Sequence, residues 1–211
     1  GYSILSDVGL EIDNPELVRI LLDHGAAMSK DRVCFSPDMV EKALATVPGK
    51  VCLYDIHGEK THELGGFNTY FTPGSSALNI LDHNTGKARK PVTSDYLDYA
   101  KIMCGLDNLS AQSTAFIPAD VPDQIGDSYR LFLSLLYCPK PVITGAFSIE
   151  GFFVMRDLLA TARGSAEKLR EKPLAIFSCC PTAPLKWSDI TSQNLVDCAR
   201  EGIPVELVSM P

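Results

Sequence analysis

Lys140-Pro141-Val142-Ile143-Thr144-Gly145-Ala146-Phe147, Lys172-Pro173-Leu174-Ala175-Ile176-Phe177-Ser178 and Ile203-Pro204-Val205-Glu206-Leu207-Val208 are three short apolar runs, each entered through a proline. The prolines stand at 141, 173 and 204, so the repeat is 32 and then 31 residues long. Proline suits the first residue of a strand, where its missing N–H breaks no ladder bond. Runs rich in Val, Ile, Leu and Phe with helix-like segments between them read as buried parallel strands in βα units. One period back, Leu109–Ile117 supplies a fourth strand. A spacing of about 30 residues fits one βαβ step, so 109–211 reads as four strands with three intervening helices.

The helices follow from the same pattern. Gly126–Tyr137 is apolar on most sides (Leu131, Phe132, Leu133, Leu135, Leu136), which implies deep burial or an interface. Gly151–Ala162 and Asp189–Glu201 complete the series, and Gly202 stops the last. A helix from Thr93 or Ser94 to Cys104, with Leu97, Ala100 and Cys104 on its buried face, precedes the first strand.

Residues 1–92 have a different texture and read as a mixed α+β module. Asn14-Pro15 and Ser36-Pro37 are helix starts. Gly25 ends the first helix; Val40, Ala43, Leu44 and Val47 carry the second, which Pro48-Gly49 stops. Val33–Phe35 is a short strand, and from Lys50 the period changes to two. Val51–Ile56, Thr61–Leu64, Asn68–Thr72 and Ala77–Leu81 are expected as strands joined by glycine turns. The fold class expected is therefore α/β: 93–211 forms the first half of a (β/α)8 TIM-type barrel, about four βα units, behind this N-terminal module. Four such units could also build an open doubly wound sheet, but no G-x-G-x-x-G or G-x-x-x-x-G-K-[ST] follows any strand. A half barrel leaves a strand edge unpaired and an apolar inner face open. That, with the missing initiator Met and an end just past a strand, implies truncation at both ends.

A net charge of -7 argues against a nucleic-acid or anionic-membrane partner, which would need a basic face. The longest apolar run, Leu131–Tyr137, is too short to span a bilayer. Seven scattered cysteines with no C-x-x-C pair, and four histidines without zinc-finger spacing to them, point to a reducing cytoplasm and to no metal site.

In a barrel, reactive groups gather where strands end. That rule selects Asp120, Phe147 with Glu150, the loop Cys179–Trp187, and Ser209-Met210-Pro211. Asp120 and Glu150 could hold a cation; a carboxylate serving a helix N-terminus is the simpler reading for Glu150, whereas Asp120, between two prolines and away from a clear cap position, fits either. Cys179-Cys180 could be a nucleophile or a metal ligand, but neighbouring side chains on a strand face opposite ways and no histidine is near in sequence, so packing is the simpler reading. Trp187 could face a quaternary ammonium group or cover a helix. His24, His57, His62 and His83 read as surface residues.

The order of motifs resembles the trimethylamine:corrinoid methyltransferase superfamily, including its relatives without pyrrolysine that demethylate glycine betaine. The resemblance rests on Asp7-Val8-Gly9-Leu10-Glu11, His24-Gly25-Ala26, Leu81-Asp82 with Thr85-Gly86 and Arg89, and Asp120-Val121-Pro122. It continues through Cys180-Pro181-Thr182-Ala183-Pro184-Leu185-Lys186-Trp187, Gly202-Ile203-Pro204-Val205 and Met210-Pro211. It implies an enzyme about twice this length that moves a methyl group from a small methylated amine to the Co(I) corrinoid (cobalamin) of a carrier protein. No cofactor would be bound directly, the full-length form would be a homo-oligomer, and the catalytic residues would lie beyond Pro211. Trp187, Phe147, Asp120 and Glu150 are the substrate-binding candidates. An aldolase- or hydrolase-type barrel is a competing reading, although no histidine stands at a strand end. A non-catalytic half-barrel interaction module is another.

Overall fold

The computed structural model describes residues 1–208. Val142–Thr144, Ala175–Cys179 and Val205–Leu207 lie side by side and parallel, with Gln112–Ser113 as the fourth strand of the same sheet. Ser209-Met210-Pro211, which carry the fourth strand-end loop and the last motif, lie outside the described residues.

From the N-terminus, a π-helical turn (Ile4–Val8) leads to β1 (Glu11–Ile12) and α1 (Pro15–Asp23). The Asn14 side chain caps α1, accepting from Leu17 N at 2.7 Å. Gly25 follows at φ +100°, a conformation that strains any side chain. β2 (Ala27–Ser29) and β3 (Arg32–Cys34) pair antiparallel. α2 (Pro37–Leu44) is capped by Ser36 as expected, but it ends well before Pro48 and buries none of its residues. Leu44 and Val47, expected to carry it, are exposed.

β4 (Val51–Tyr54) and β5 (Lys60–Leu64) form the first hairpin. The other two expected strands are mostly absent. Only β6 (Ile80–Leu81) forms, paired with β7 (Ala88–Arg89). Pro73 has no donor and Ser76 adopts φ +58°, which breaks a regular ladder. Residues 71–77 instead run along the outer edge of the fourth strand, β8 (Gln112–Ser113), through isolated bridges Phe71↔Leu109 and Ala77↔Phe116. Ala77 N donates to Ala115 O at 2.8 Å and Ser113 Oγ to Gly74 O at 2.6 Å.

α3 (Thr93–Gly105) is capped differently from expectation. Val92 is the extended cap residue; Asp95 accepts from its N–H at 2.8 Å, and Asp120 accepts from Thr93 N at 2.9 Å. Two carboxylates thus do the work expected of a Thr93 or Ser94 hydroxyl. The buried face is Tyr96, Ala100 and Met103, whereas Cys104 is exposed. β8 is shorter than the run 109–117, and its Gln112 side chain donates to Cys138 O and Lys140 O, both at 3.0 Å.

The remaining elements are α4 (Gly126–Tyr137), β9 (Val142–Thr144), α5 (Ile149–Arg163), α6 (Ala166–Glu171), β10 (Ala175–Cys179), β11 (Lys186–Trp187), α7 (Asp189–Glu201) and β12 (Val205–Leu207). α4 and α7 have the expected bounds. α6, which the sequence reading lacks, restarts after left-handed Gly164 with Ser165 as its cap. α4 is both buried and surface-forming: Leu131 and Leu133 are inside, Phe132 and Leu136 outside.

The sheet order β12-β10-β9-β8 has every neighbour parallel. On one face Val142, Ala175 and Phe177 pack with Phe152, Met155 and Leu159 of α5. The other face was expected to lie open, and it does not. Leu53 of β4, 1% exposed, packs on Ala111, Ile143 and Ile176, with Leu64 beside it. Tyr54 N donates to Pro173 O at 2.9 Å and Ile56 N to Pro139 O at 2.8 Å, so the hairpin covers the end where β9 and β10 begin. β12 has β10 as its one strand partner among the described residues. No described helix is long and apolar enough to cross a membrane.

His62 on β5 corrects a second expectation, because its ring is buried against Tyr70 at 4.5 Å between centroids. Burial holds its pKa below the ordinary value. A ring kept neutral in the fold competes with an unfolded ring that protonates near about pH 6.5. Stability should therefore fall as pH drops from about 7 toward 5, and thermal melts of His62→Gln should lose part of that dependence.

Candidate active site

Parallel strands end together, and a cleft of about 470 Å³ opens at the C-terminal ends of these four. Each strand contributes: Thr114 after β8, Thr144 and Phe147 at and after β9, Ser178 and Cys180 at and after β10, and Glu206 within β12. Residues 72–76 form one rim, and Asn194 of α7 reaches in from another side.

Register sets the polar contacts. Ser178 pairs with Glu206 across β10 and β12, so both side chains emerge on one face, and Ser178 Oγ donates to Glu206 Oε1 at 2.6 Å. Thr114 Oγ1 donates to Thr144 Oγ1 at 3.3 Å. A side chain at Gly145 would come within 3.3 Å of Ser178 O, so glycine lets these strand ends approach. Asn194 donates to Ala146 O at 3.4 Å while its buried Oδ1 has no partner among the described residues.

Behind this wall lies Arg130 of α4, completely buried, its guanidinium 4.4 Å from the centre of the Phe147 ring. Nη1 donates to Thr114 O at 2.8 Å and, at 3.5 Å, to Ser76 Oγ. Buried Asp127 holds the Phe147 loop by accepting from Phe147 N at 2.9 Å.

Of the four residues selected from sequence, the cleft contains Phe147, which is half-exposed there. Asp120 lies at the start of α3, bonded to Thr93 N. Glu150 is exposed in the first turn of α5. Trp187 belongs to β11, which pairs in parallel with β1: Trp187 stands opposite Ile12, and Asp13 N donates to Trp187 O at 2.9 Å. Those three do not line the cleft. Glu206 and Arg130 are the residues that sequence reasoning missed. The signals were a carboxylate inside an apolar strand and a cation inside an apolar helix.

Cys179 is buried, and burial pushes its thiol up to about 12, which removes it as a nucleophile at neutral pH. Burial also raises the Cys198 thiol. Titration of the native protein with a thiol reagent should modify exposed Cys104 first and reach Cys179 and Cys198 only on unfolding. Early loss of Cys179 would contradict this packing.

Residues 1–210 match the family model described as trimethylamine methyltransferase (MTTB). The chain is 27% identical over 209 residues to a trimethylamine methyltransferase of Desulfitobacterium hafniense (strain DSM 10664 / DCB-2), covering 98% of this chain and 42% of that protein. It is 25% identical over 208 residues to a glycine betaine methyltransferase of D. hafniense (strain Y51), covering 98% and 43%. Against a trimethylamine methyltransferase of Methanosarcina barkeri the identity is 27% over 215 residues, with 98% and 43% covered. The chain thus spans less than half the length of these relatives.

Proposed function

The chain belongs to the trimethylamine methyltransferase family, and on that premise we propose that it forms the amine-binding half of an enzyme that transfers a methyl group from a methylated amine, trimethylamine or a quaternary amine, to the Co(I) corrinoid of a carrier protein. Its parallel sheet is read as the first half of a (β/α)8 barrel behind the module 1–92, with further βα units and the catalytic residues supplied beyond Pro211. The covered share of the relatives, 42–43%, and the chain-order, all-parallel sheet support that architecture.

The observation that carries the proposal is the pairing, in one cleft, of a carboxylate with an aromatic ring. Glu206 supplies negative charge from the strand wall, and Phe147 supplies an aromatic face. Together they suit an alkylammonium ion, which gains from a nearby carboxylate and from the ring quadrupole. The cleft, about 470 Å³, matches a small ligand and leaves the corrinoid to approach from the mouth on its carrier as the methyl acceptor.

In the transfer, the N–CH₃ bond breaks with its electron pair staying on nitrogen, and the carbon bonds to the acceptor. A quaternary amine leaves neutral, so this chain needs no general acid for it. Its residues orient the ammonium group and exclude water. The Ser178 hydroxyl fixes the Glu206 carboxylate, Asp127 fixes the backbone under Phe147, and the Thr114–Thr144 pair satisfies polar atoms of the wall.

The test is incubation of the intact protein with Co(I) cobalamin and a panel of methylated amines, followed by absorbance. Methylated corrinoid with at least one amine is the expected result. Failure with every amine, in a protein shown to be folded, would remove the methyltransferase reading.

A further inference from the structure

Asn194 stands in the middle of α7, where asparagine is a poor helix former, and only 4% of it is exposed. With Ile190 and Thr191 it makes up the face of α7 that lines the cleft, at positions i, i+1 and i+4 of one helical stripe. Its Nδ2 donates to Ala146 O at 3.4 Å, while Oδ1 is buried and accepts from nothing among the described residues. The two ends of the amide cannot trade places, because an oxygen turned toward the Ala146 carbonyl would set two acceptors against each other. Ser192 Oγ and Asp197 Oδ2 on the same helix also have no partner there, but neither residue lines the cleft. Buried polar atoms are nearly always hydrogen-bonded, so an idle acceptor on a cleft-lining side chain marks a place for a donor that a ligand brings.

The surroundings indicate which donor. Ala146, which holds the amide, immediately precedes Phe147, and Phe147, Glu206 and Asn194 line one cleft. A ring face and a carboxylate attract any alkylammonium ion through its charge alone. An amide oxygen instead accepts a directed hydrogen bond, and only an ammonium ion that keeps an N–H can donate one. Charge and hydrogen bonding are thus read by different residues.

Resting on the proposal that the cleft binds a methylated amine, we propose that Asn194 is a further binding residue, whose Oδ1 accepts the N–H of a protonated tertiary amine and holds that proton on nitrogen through the transfer. When the electron pair of the corrinoid acceptor takes the methyl carbon, the pair of the N–CH₃ bond stays on nitrogen. A protonated trimethylamine then leaves as neutral dimethylamine with its proton retained. Without that proton the same step would expel a dimethylamide anion, a far poorer leaving group. An amide carbonyl is too weak a base to remove the proton, so Oδ1 can orient the N–H without consuming it.

Calorimetric titration of the intact protein with trimethylammonium, which has one N–H, and with tetramethylammonium, which has none, tests this without relying on turnover. Trimethylammonium should bind about tenfold more tightly, the scale of a hydrogen bond from a charged donor. Asn194→Leu, which keeps the bulk but has no acceptor, should shrink that ratio to within about twofold. Should Asn194→Leu not fold, Asn194→Ser withdraws the acceptor from the same place with less disturbance and should shrink the ratio equally. Equal binding of both ions to the natural protein, or an undiminished ratio in a folded variant, would overturn the role of Asn194 while leaving the amine cleft standing. Binding of neither ion would overturn the amine cleft and this inference together.

Discussion

Glu206→Gln should lower the affinity of the cleft for a trimethylammonium ligand by roughly 30-fold, equivalent to about 2 kcal/mol. The figure is taken from the low end for charge pairs because Glu206 is only half-buried and keeps some solvent. The substitution preserves shape and the contact with Ser178 Oγ, now at 2.6 Å, so the change isolates charge. Ser178→Ala should cost much less, a few-fold, since it removes the group that orients the carboxylate and leaves the charge. Titration of the three proteins with tetramethylammonium measures both. An affinity in Glu206→Gln equal to that of the parent would mean that the cation is held elsewhere.

Leu53→Ala should be the most damaging single truncation outside the helical core. Leu53 is 1% exposed and packs on Ile143 of β9, Ile176 of β10 and Ala111 just before β8. Removing its side chain leaves a cavity against the sheet face that partly buried Leu64 alone would still flank. Buried Leu→Ala changes cost about 2–5 kcal/mol, and about 3 kcal/mol in a chain of this size lowers Tm by roughly 6–12 °C. Thermal melts of Leu53→Ala and Leu64→Ala should rank in that order, because Leu64 is partly exposed. A Leu53→Ala protein that melts with the parent would mean that the hairpin is dispensable to the sheet.

These two residues also mark what could and could not be read in the sequence. The strands were legible because proline, then a short and mostly apolar run, then a glycine- or serine-bearing loop recurs at a near-constant interval. α4 and α7 were legible because their stops, Cys138-Pro139 and Gly202-Ile203-Pro204, are unambiguous. The restart of α6 was present as Gly164-Ser165 but short enough to pass for a loop. Asn68–Thr72 and Ala77–Leu81 read as strands, yet Phe71 and Ala77 bond to the edge of β8, about forty residues away, and Ile80–Leu81 to β7, pairings that no local pattern reports.

The site was legible only in part, and for a related reason. Phe147 follows a strand end, where the barrel rule looks. Glu206 is inside its strand, and its exposure to the cleft depends on register with Ser178. Trp187 was drawn to the mouth by its loop, whereas the fold pairs it with Ile12, a partner 175 positions away. Arg130 was hidden by the apolar helix around it. Burial without a counter-charge is visible only once the helix is packed.

The most direct test is a crystal structure of the intact protein soaked with tetramethylammonium. The ion should lie in the cleft, within about 6 Å of the Phe147 ring centre and in contact with the Glu206 carboxylate. An ion seated against Trp187 or on the outer helices, with the cleft between Phe147 and Glu206 vacant, would contradict the account.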